Sequence, residues 1–450
     1  MTGIPTAGAL RLMGSLPLRS WAACASLCLL ACGSSGGSNG GAAGASSPGG
    51  DSNGGDAPAQ GGADGGTAGT NVIGSNAGAQ QIPTNLVPAD VACKPNLTPK
   101  VLPIGKWTAL GPPGIEKADY GMVGVSFDPS DRNVLYTTVQ DDGIWKSCDA
   151  GATWFRLGAP NLDPEVFDGT TNYLDVPFEV AVDPKDSKHL YATDGVRGGS
   201  DLGFWVSHDG GALWQRGPAY MEAAKQATVD LTDFAVDPSD FNHVLVASHS
   251  PWNGKSNAGV METQDGGTTW ILHDPDPSWP VGTNGIEFLY DPASKTDNKT
   301  WINLTSDGQW LTTNAGASWK EVGKFGGVHG LDVGYRASNG TLYAGATGAP
   351  IRSIDNGMTW TQDMKNLPFG YFYVVSGTED TLFTAKSLNS GQMPFVSFYS
   401  SPVADGVNWT QYGGADEAFS DGPIVMKYDE VNHILYSANW KAGLIALKTK

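Results

Sequence analysis

Residues Ser147–Trp154 read SCDAGATW, and the same eight-residue pattern returns four more times along the chain. It recurs as SHDGGALW at Ser207–Trp214, TQDGGTTW at Thr263–Trp270, TTNAGASW at Thr312–Trp319 and SIDNGMTW at Ser353–Trp360. A shortened sixth version, VADGVNW, ends at Trp409. The closing tryptophans of successive copies stand 41 to 60 residues apart, a period expected of a solenoid or a propeller. Each position has a local physical reason. The glycine permits a sharp turn, the Asp accepts backbone N–H groups inside a hairpin, and the Trp packs between neighbouring sheets. We call the pattern the box.

A second unit precedes each box. Met122–Val139 reads MVGVSFDPSDRNVLYTTV: apolar alternation, an Asp128-Pro129 turn, then Leu135-Tyr136. Partners are Asp183-Pro184 with Leu190-Tyr191 and Asp237-Pro238 with Val244-Leu245. Asp291-Pro292 with Trp301 is longer, and Leu342-Tyr343, Leu382-Phe383 and Leu435-Tyr436 mark later copies. Each reads as strand, turn, strand, and the box then joins a third strand to a fourth. Strand pairs number seven and boxes six. The last unit, Pro423 to Lys450, stops after three strands, while Gly105–Gly111 (GKWTALG) echoes Thr153–Gly158 (TWFRLG). The expected fold is therefore all-β: a single seven-bladed β-propeller of four-stranded antiparallel blades over residues 104–450. The N-terminal strand closes the ring in the last blade and removes the exposed edge of an open array.

The composition agrees. Of 450 residues, 61 are Gly and 15 are Trp, with only 16% charged, which suits many tight turns between short strands. The formal net charge of -19 argues against nucleic acid, because a polyanion is repelled.

The boxes resemble the Asp-box, or BNR repeat, of sialidases, xyloglucanases, sortilin-type receptors and photosystem assembly propellers. That resemblance spans about Trp107 to Lys450 and implies the fold; it makes the box aspartates structural rather than catalytic. The N-terminus carries a second resemblance. Arg11 and Arg19 precede the apolar run Trp21–Ala31, which ends in Leu29-Leu30-Ala31-Cys32-Gly33-Ser34. The run is too short to span a bilayer and is similar to a bacterial lipoprotein signal. Residues 1–31 then form the signal peptide, Cys32 is the lipidated residue, and the location is the cell envelope: outer membrane or cell surface. Residues 32–82, rich in Gly, Ser and Ala, read as a disordered tether, and 83–103 as a lead-in to the propeller. In that oxidising setting Cys93 and Cys148, near each other at the start of the ring, are expected to form one disulfide.

Strand order puts the fourth-to-first and second-to-third links on one face, the loop face, and the boxes on the other. Function tends to reside in such links. Candidate ligand-binding residues within or beside them are Tyr173, Tyr220, Trp252, Trp279, Trp440, His249 and His329. Aligned on the Asp-Pro turns, the first strands carry Gly124, Glu179, Asp233 and Glu287 at one position, with Asp332 in the fifth blade. Crowded carboxylates on the channel would raise one another's pKa values, as glycosidase acids require. They could equally hold Ca²⁺ through oxygen, or pair with backbone and Lys groups between blades. No cofactor is required by this reading, structural Ca²⁺ being the one candidate metal, and HExxH, GxSxG and phosphate-loop patterns are lacking.

Two functions remain open. One is a surface protein that binds a polysaccharide, with or without cleaving it. Tyr136–Lys146 is similar to the first catalytic loop of xyloglucanases, which implies that Asp141 or Asp142 is one carboxylate of a pair; those enzymes set a second propeller opposite the first. Sialidases use three arginines, and only Arg197 falls on the loop face here. The other is a non-catalytic, protein-binding or assembly propeller. Either would act as a monomer, touching the membrane only through the lipid.

Overall fold

The computed structural model describes residues 70–74, 91–114, 122–140, 142–158, 174, 177–194, 203–216, 220, 231–248, 258–274, 283–289, 298–305, 308–327, 334–386, 396–412, 422–439 and 443–450. All of them lie in one compact unit, residues 64–450. Every regular element among them is a strand, and the strands form seven antiparallel blades in a ring. Blade 1, for example, pairs Met122–Phe127, Leu135–Val139, Gly143–Ser147 and Phe155–Arg156 in that order from the channel outward. In blade 7, Pro423–Asp429, Ile434–Asn439 and Gly443–Lys448 are completed by Trp107–Gly111. Trp107 lies opposite Leu447 and Thr108 opposite Ala446, so the ring is closed from the N-terminal side, as expected.

The Leu-Tyr dipeptides explain how the blades adhere. Consecutive residues of a strand point to opposite faces. Leu135 therefore packs in the seam with blade 7, beside Ile424 and Tyr436, while Tyr136 packs in the seam with blade 2, beside Leu190 and Trp205. The pattern continues: Tyr191 with Val244, Leu245 with Trp301, Ile302 with Leu342, Tyr343 with Leu382, and Phe383 with Leu435. Seven apolar clusters among the described residues thus occupy the seven seams. The box tryptophan belongs to the seam with the preceding blade. Trp270 meets Phe204 at 5.3 Å, and the Trp154 indole N–H donates to Leu110 O at 2.9 Å. Trp107 fills this role for blade 7, stacking on Phe398 of blade 6 at 4.1 Å.

The first and fifth boxes close with the same four bonds. The Ser147 hydroxyl donates to Asp149 Oδ1 (2.8 Å) and accepts the Gly151 amide (2.8 Å); Asp149 accepts both the amide and the hydroxyl of Thr153 (2.8 and 2.7 Å). Ser353, Asp355, Gly357 and Thr359 repeat all four bonds. Gly151 and Gly357 both have a φ of 83°, a left-handed turn that a side chain would strain. Burial pushes the Asp149 carboxyl up, but bonds from Thr153 and Ser147 outweigh it and hold the carboxyl below its usual range.

The N-terminal lead-in is a strap along the box face. Val91 joins the seam between blades 1 and 2, and the buried Lys146 ammonium donates to Val91 O at 3.1 Å. Cys93 is bonded to Cys148, the Lys100 amide donates to Asp149 O (2.9 Å), and the Gly105 amide donates to Lys448 O (2.8 Å).

Three features depart from the regular repeat. Within the 32–82 segment expected to be a tether, Thr70–Gly74 (TNVIG) instead forms a fifth strand outside Thr269–His273; its Val and Ile are the β-formers that the surrounding Gly and Ser lack. Blade 5 has three strands, its fourth reduced to a bridge between Arg352 and Thr361. A separate two-stranded ribbon, Ala346–Gly348 with Gly370–Phe372, is inserted beside it.

Blade 3 also contains a buried relay that crosses all four strands. Asp237 Oδ2 lies 3.1 Å from His243 Nδ1, His243 Nε2 lies 2.9 Å from Glu262 Oε1, and Glu262 Oε2 lies 2.7 Å from His273 Nε2. His243 is buried against Phe288 and Trp301 of blade 4. Burial pushes the Glu262 carboxyl up, but hydrogen bonds from His243, His273 and Gln264 outweigh it and bring it from 4.5 to about 2. A folded-state value below the unfolded one contributes stability above the unfolded pKa and loses it as pH falls towards the folded pKa. We expect the unfolding free energy to decline between pH 4.5 and about 2. Glu262→Gln should be less stable at neutral pH and flatter across that window; an equally steep decline in urea-unfolding curves of the variant would refute the assignment.

Candidate functional site

The first strands line the channel, and their closeness dictates what can stand there. At Gly124 a Cβ would fall 2.7 Å from both Phe178 O and Thr138 Oγ1, so blade 1 admits no side chain at that level. Thr138 donates to Phe178 O at 2.8 Å, and Ser126 donates to Val180 O. Blade 2 carries Glu179 at the level of Gly124. With nothing projecting from blade 1, Lys427 of blade 7 reaches across to Glu179, Nζ to Oε1 2.8 Å. Blade 3 carries Asp233, which is buried and accepts the Ile286 amide of blade 4 at 3.0 Å. Asp233 acts as a clasp between blades, out of reach of a bulky substrate.

Glu287 does not belong to that level. It pairs with Ile302, the seam residue equivalent to Tyr136, whose own partner is Ser126. Leu289, not Asp291, takes the place of Asp128: the Leu289 amide donates to Thr300 O as the Asp128 amide does to Val134 O. The longer turn of blade 4 thus shifts the Asp-Pro landmark by two residues, and Glu287 stands one pleat nearer the box face. Asp332, the fifth-blade candidate, lies outside the described residues.

Glu179, Glu287 and Lys427 line a cavity of about 310 Å³ together with Phe127, Pro129 and Arg132. A second cavity, about 490 Å³, shares Phe127 and Lys427 and is walled by Tyr335, Val374, Met426 and Tyr428. Both open towards the box face, since Pro129, Arg132 and Glu430 belong to first-to-second turns. Arg132 is held at that mouth by Glu430 (2.8 Å) and lies 4.5 Å over the Phe127 ring. Lys427 escaped sequence reasoning, although a lone Lys within the apolar strand Pro423–Asp429 was a usable signal.

On the loop face, Asp142 begins the third strand of blade 1. Its Oδ2 accepts the Trp145 indole N–H at 3.2 Å, and Oδ1 lies 3.7 Å from Arg156 Nη1. Arg156 lies across Gly143, where a Cβ would meet its Nε at 2.9 Å. The result is a half-exposed acid, base and indole at one strand end, suited to accept and donate hydrogen bonds to a polar ligand. Tyr220 is not a surface residue: it is fully buried, packs on Trp270 at 5.2 Å, and burial pushes its phenol up. Asp141, Tyr173, Trp252, Trp279, Trp440, His249, His329 and Cys32 lie outside the described residues. Among the described residues no cluster of three His, Cys, Asp or Glu is placed to hold a metal, and no helix is long and apolar enough to cross a membrane.

No family model matches the chain. It is similar to an oligoxyloglucan-reducing end-specific xyloglucanase of Emericella nidulans, 25% identical over 205 residues, covering 45% of this chain and 24% of that enzyme. The chain spans about a quarter of the length of the curated relatives it matches. Among solved structures, the GH74 xyloglucanase from Xanthomonas campestris superposes with a TM-score of 0.55 at 18% identity, over 77% of this chain and 54% of that one. YCF48 bound to D1 peptide superposes with a TM-score of 0.54 at 15% identity, over 80% of this chain and all of that one. The curated relatives are xyloglucanases, and the fold is one shared by glycan-hydrolysing and peptide-binding propellers.

The channel pair gives a direct test. Lys427 and Glu179 have side chains 28% and 15% exposed, between the surface and buried regimes. Lys427→Met should cost about 1–2 kcal/mol by removing the cation that pairs with Glu179, and Glu179→Gln added to it should cost little more. Strictly additive losses in a double-mutant cycle by chemical denaturation would show that the two do not act as a pair.

Proposed function

We propose that the chain is a glycan-binding propeller displayed on the cell surface by a lipid on Cys32, engaging a neutral polysaccharide of the xyloglucan type through its loop face. What carries this reading is the similarity to xyloglucanases combined with the state of Asp233, Glu179 and Asp142. Paired acids for glycoside cleavage need an open separation of about 5–10 Å and one group free to give up a proton. Here Asp233 is committed to a backbone amide, Glu179 to Lys427, and Asp142 to Trp145 and Arg156. Such groups bind and orient; they are poorly placed to cleave. The net charge of -19 favours an uncharged polymer over an acidic one. A second reading, docking of a peptide, is favoured by the superposition on YCF48 bound to D1 peptide over that protein's whole length.

Electrophoresis in gels containing xyloglucan, mixed-linkage glucan, mannan or polygalacturonate separates the readings. Migration should be retarded by xyloglucan, not by polygalacturonate, without release of new reducing ends. Asp142→Ala should weaken retardation roughly tenfold, as expected for loss of a polar anchor to the ligand. Intact cells should bind insoluble xyloglucan, and Cys32→Ser should move that binding to the medium. Unretarded migration in every gel would eliminate the glycan reading, and new reducing ends would eliminate the non-hydrolytic one.

A further inference from the structure

The ribbon between blades 5 and 6 has a property that the repeat does not explain. Ala346–Gly348 continues the second-to-third link of blade 5, and Gly370–Phe372 leads into blade 6, so both arms stand on the loop face. The pairing is Ala346 with Phe372, Thr347 with Tyr371 and Gly348 with Gly370. The ribbon is fixed from two sides. The Thr347 amide and hydroxyl donate to Gly326 O and Gly327 O at 2.9 and 3.1 Å. The Gln362 amide donates to Thr347 O and Ala349 O at 3.0 and 2.6 Å.

On this anchored element Phe372 is fully buried, whereas Phe369 is 81% and Tyr371 44% exposed. Phe369 stands at the bend just before the strand Gly370–Phe372, two residues from Tyr371 and so within roughly 7 Å of it along the chain. Gly348 has a φ of 98°, and a Cβ there would stand 3.4 Å from Phe369 Cε2, so the ring lies against bare backbone. A Cβ at Gly370 would collide with the stem of Lys386, which covers the other side of the strand, the side of Phe372. Two neighbouring aromatic rings open to water lose apolar burial without any gain in folding.

We propose that Phe369 and Tyr371 form a stacking platform for a linear, neutral polysaccharide. This rests on the glycan reading above and names the residues that would execute it. A pyranose ring presents a flat C–H face that stacks on an aromatic plane and a rim of hydroxyls that needs polar partners. Two neighbouring rings match successive sugars of one chain better than a single monosaccharide. Because the ribbon is hydrogen-bonded on both sides, little ordering entropy is lost on binding. The overall negative charge excludes acidic polymers from the platform.

The test is calorimetric titration of the full chain with xyloglucan oligosaccharides, cellohexaose and polygalacturonate. Phe369→Ala and Tyr371→Ala should each weaken binding of the neutral oligosaccharides about tenfold, and Phe369→Trp should retain it. Polygalacturonate should not bind. Both rings are exposed, so unchanged thermal unfolding should verify that the variants fold. Wild-type affinity in both alanine variants would overturn the platform while leaving the glycan reading intact. Failure of the wild-type chain to bind any neutral oligosaccharide would overturn both. A concentration-dependent dimer in sedimentation, lost on Phe369→Ala, would overturn the platform by making the ribbon a contact between copies.

Discussion

The pairing of Trp107–Gly111 with Gly443–Lys448 completes blade 7, and the other seams depend on it for a physical reason. Each blade is apolar on both faces, so a row of seven would leave one face bare at each end. Closing the row into a ring buries both, in the cluster where Leu110, Ile424 and Tyr436 meet Val125 and Leu135. Blade 7 obtains its outer strand from the other end of the propeller, so closure ties residues more than three hundred positions apart. Loop closure of that length is entropically slow to find. The strap offsets this with local ties: Val91 in the seam between blades 1 and 2, Cys93 bonded to Cys148, and the Lys100 amide on Asp149 O.

The same economy governs where charge is placed. The aspartates of the full boxes are consumed in turns, holding the amide of the residue four positions on. Channel charges are consumed between first strands, Asp233 on Ile286 and Glu179 on Lys427, and Arg132 is held on Glu430 at the turns of the channel mouth. On the loop face, where links depart from the repeat, stand the half-exposed Asp142 with Trp145 and Arg156, and the aromatic ribbon.

Much of this fold was legible because its signals are local. A box specifies its own turn within eight residues, and a Leu-Tyr pair reports burial on both faces of a strand. The missing seventh box and the echo of TWFRLG in GKWTALG were enough to place Trp107 in blade 7. The site was less legible because it depends on register and on depth. Glu287 was grouped with Glu179 and Asp233 through the Asp-Pro landmark, yet the longer turn of blade 4 puts Leu289 where Asp128 stands and moves Glu287 one pleat along. Tyr220 sits in a variable segment, but its ring folds beneath the chain onto Trp270. Lys427 and Phe369 belong to no motif; one is a cation in an apolar strand, the other an aromatic in an insertion. Neither can be located from spacing alone.

Ring closure is tested most directly by the unfolding of two truncated chains. Residues 91–450, which keep the strap and the closing strand, should unfold in urea as one cooperative transition. Residues 112–450, lacking both, should lose that transition and bind a hydrophobic dye through the bared seam of blade 7. A chain of 112–450 that unfolds at the same midpoint with the same cooperativity would contradict the claim that Trp107–Gly111 holds the propeller together.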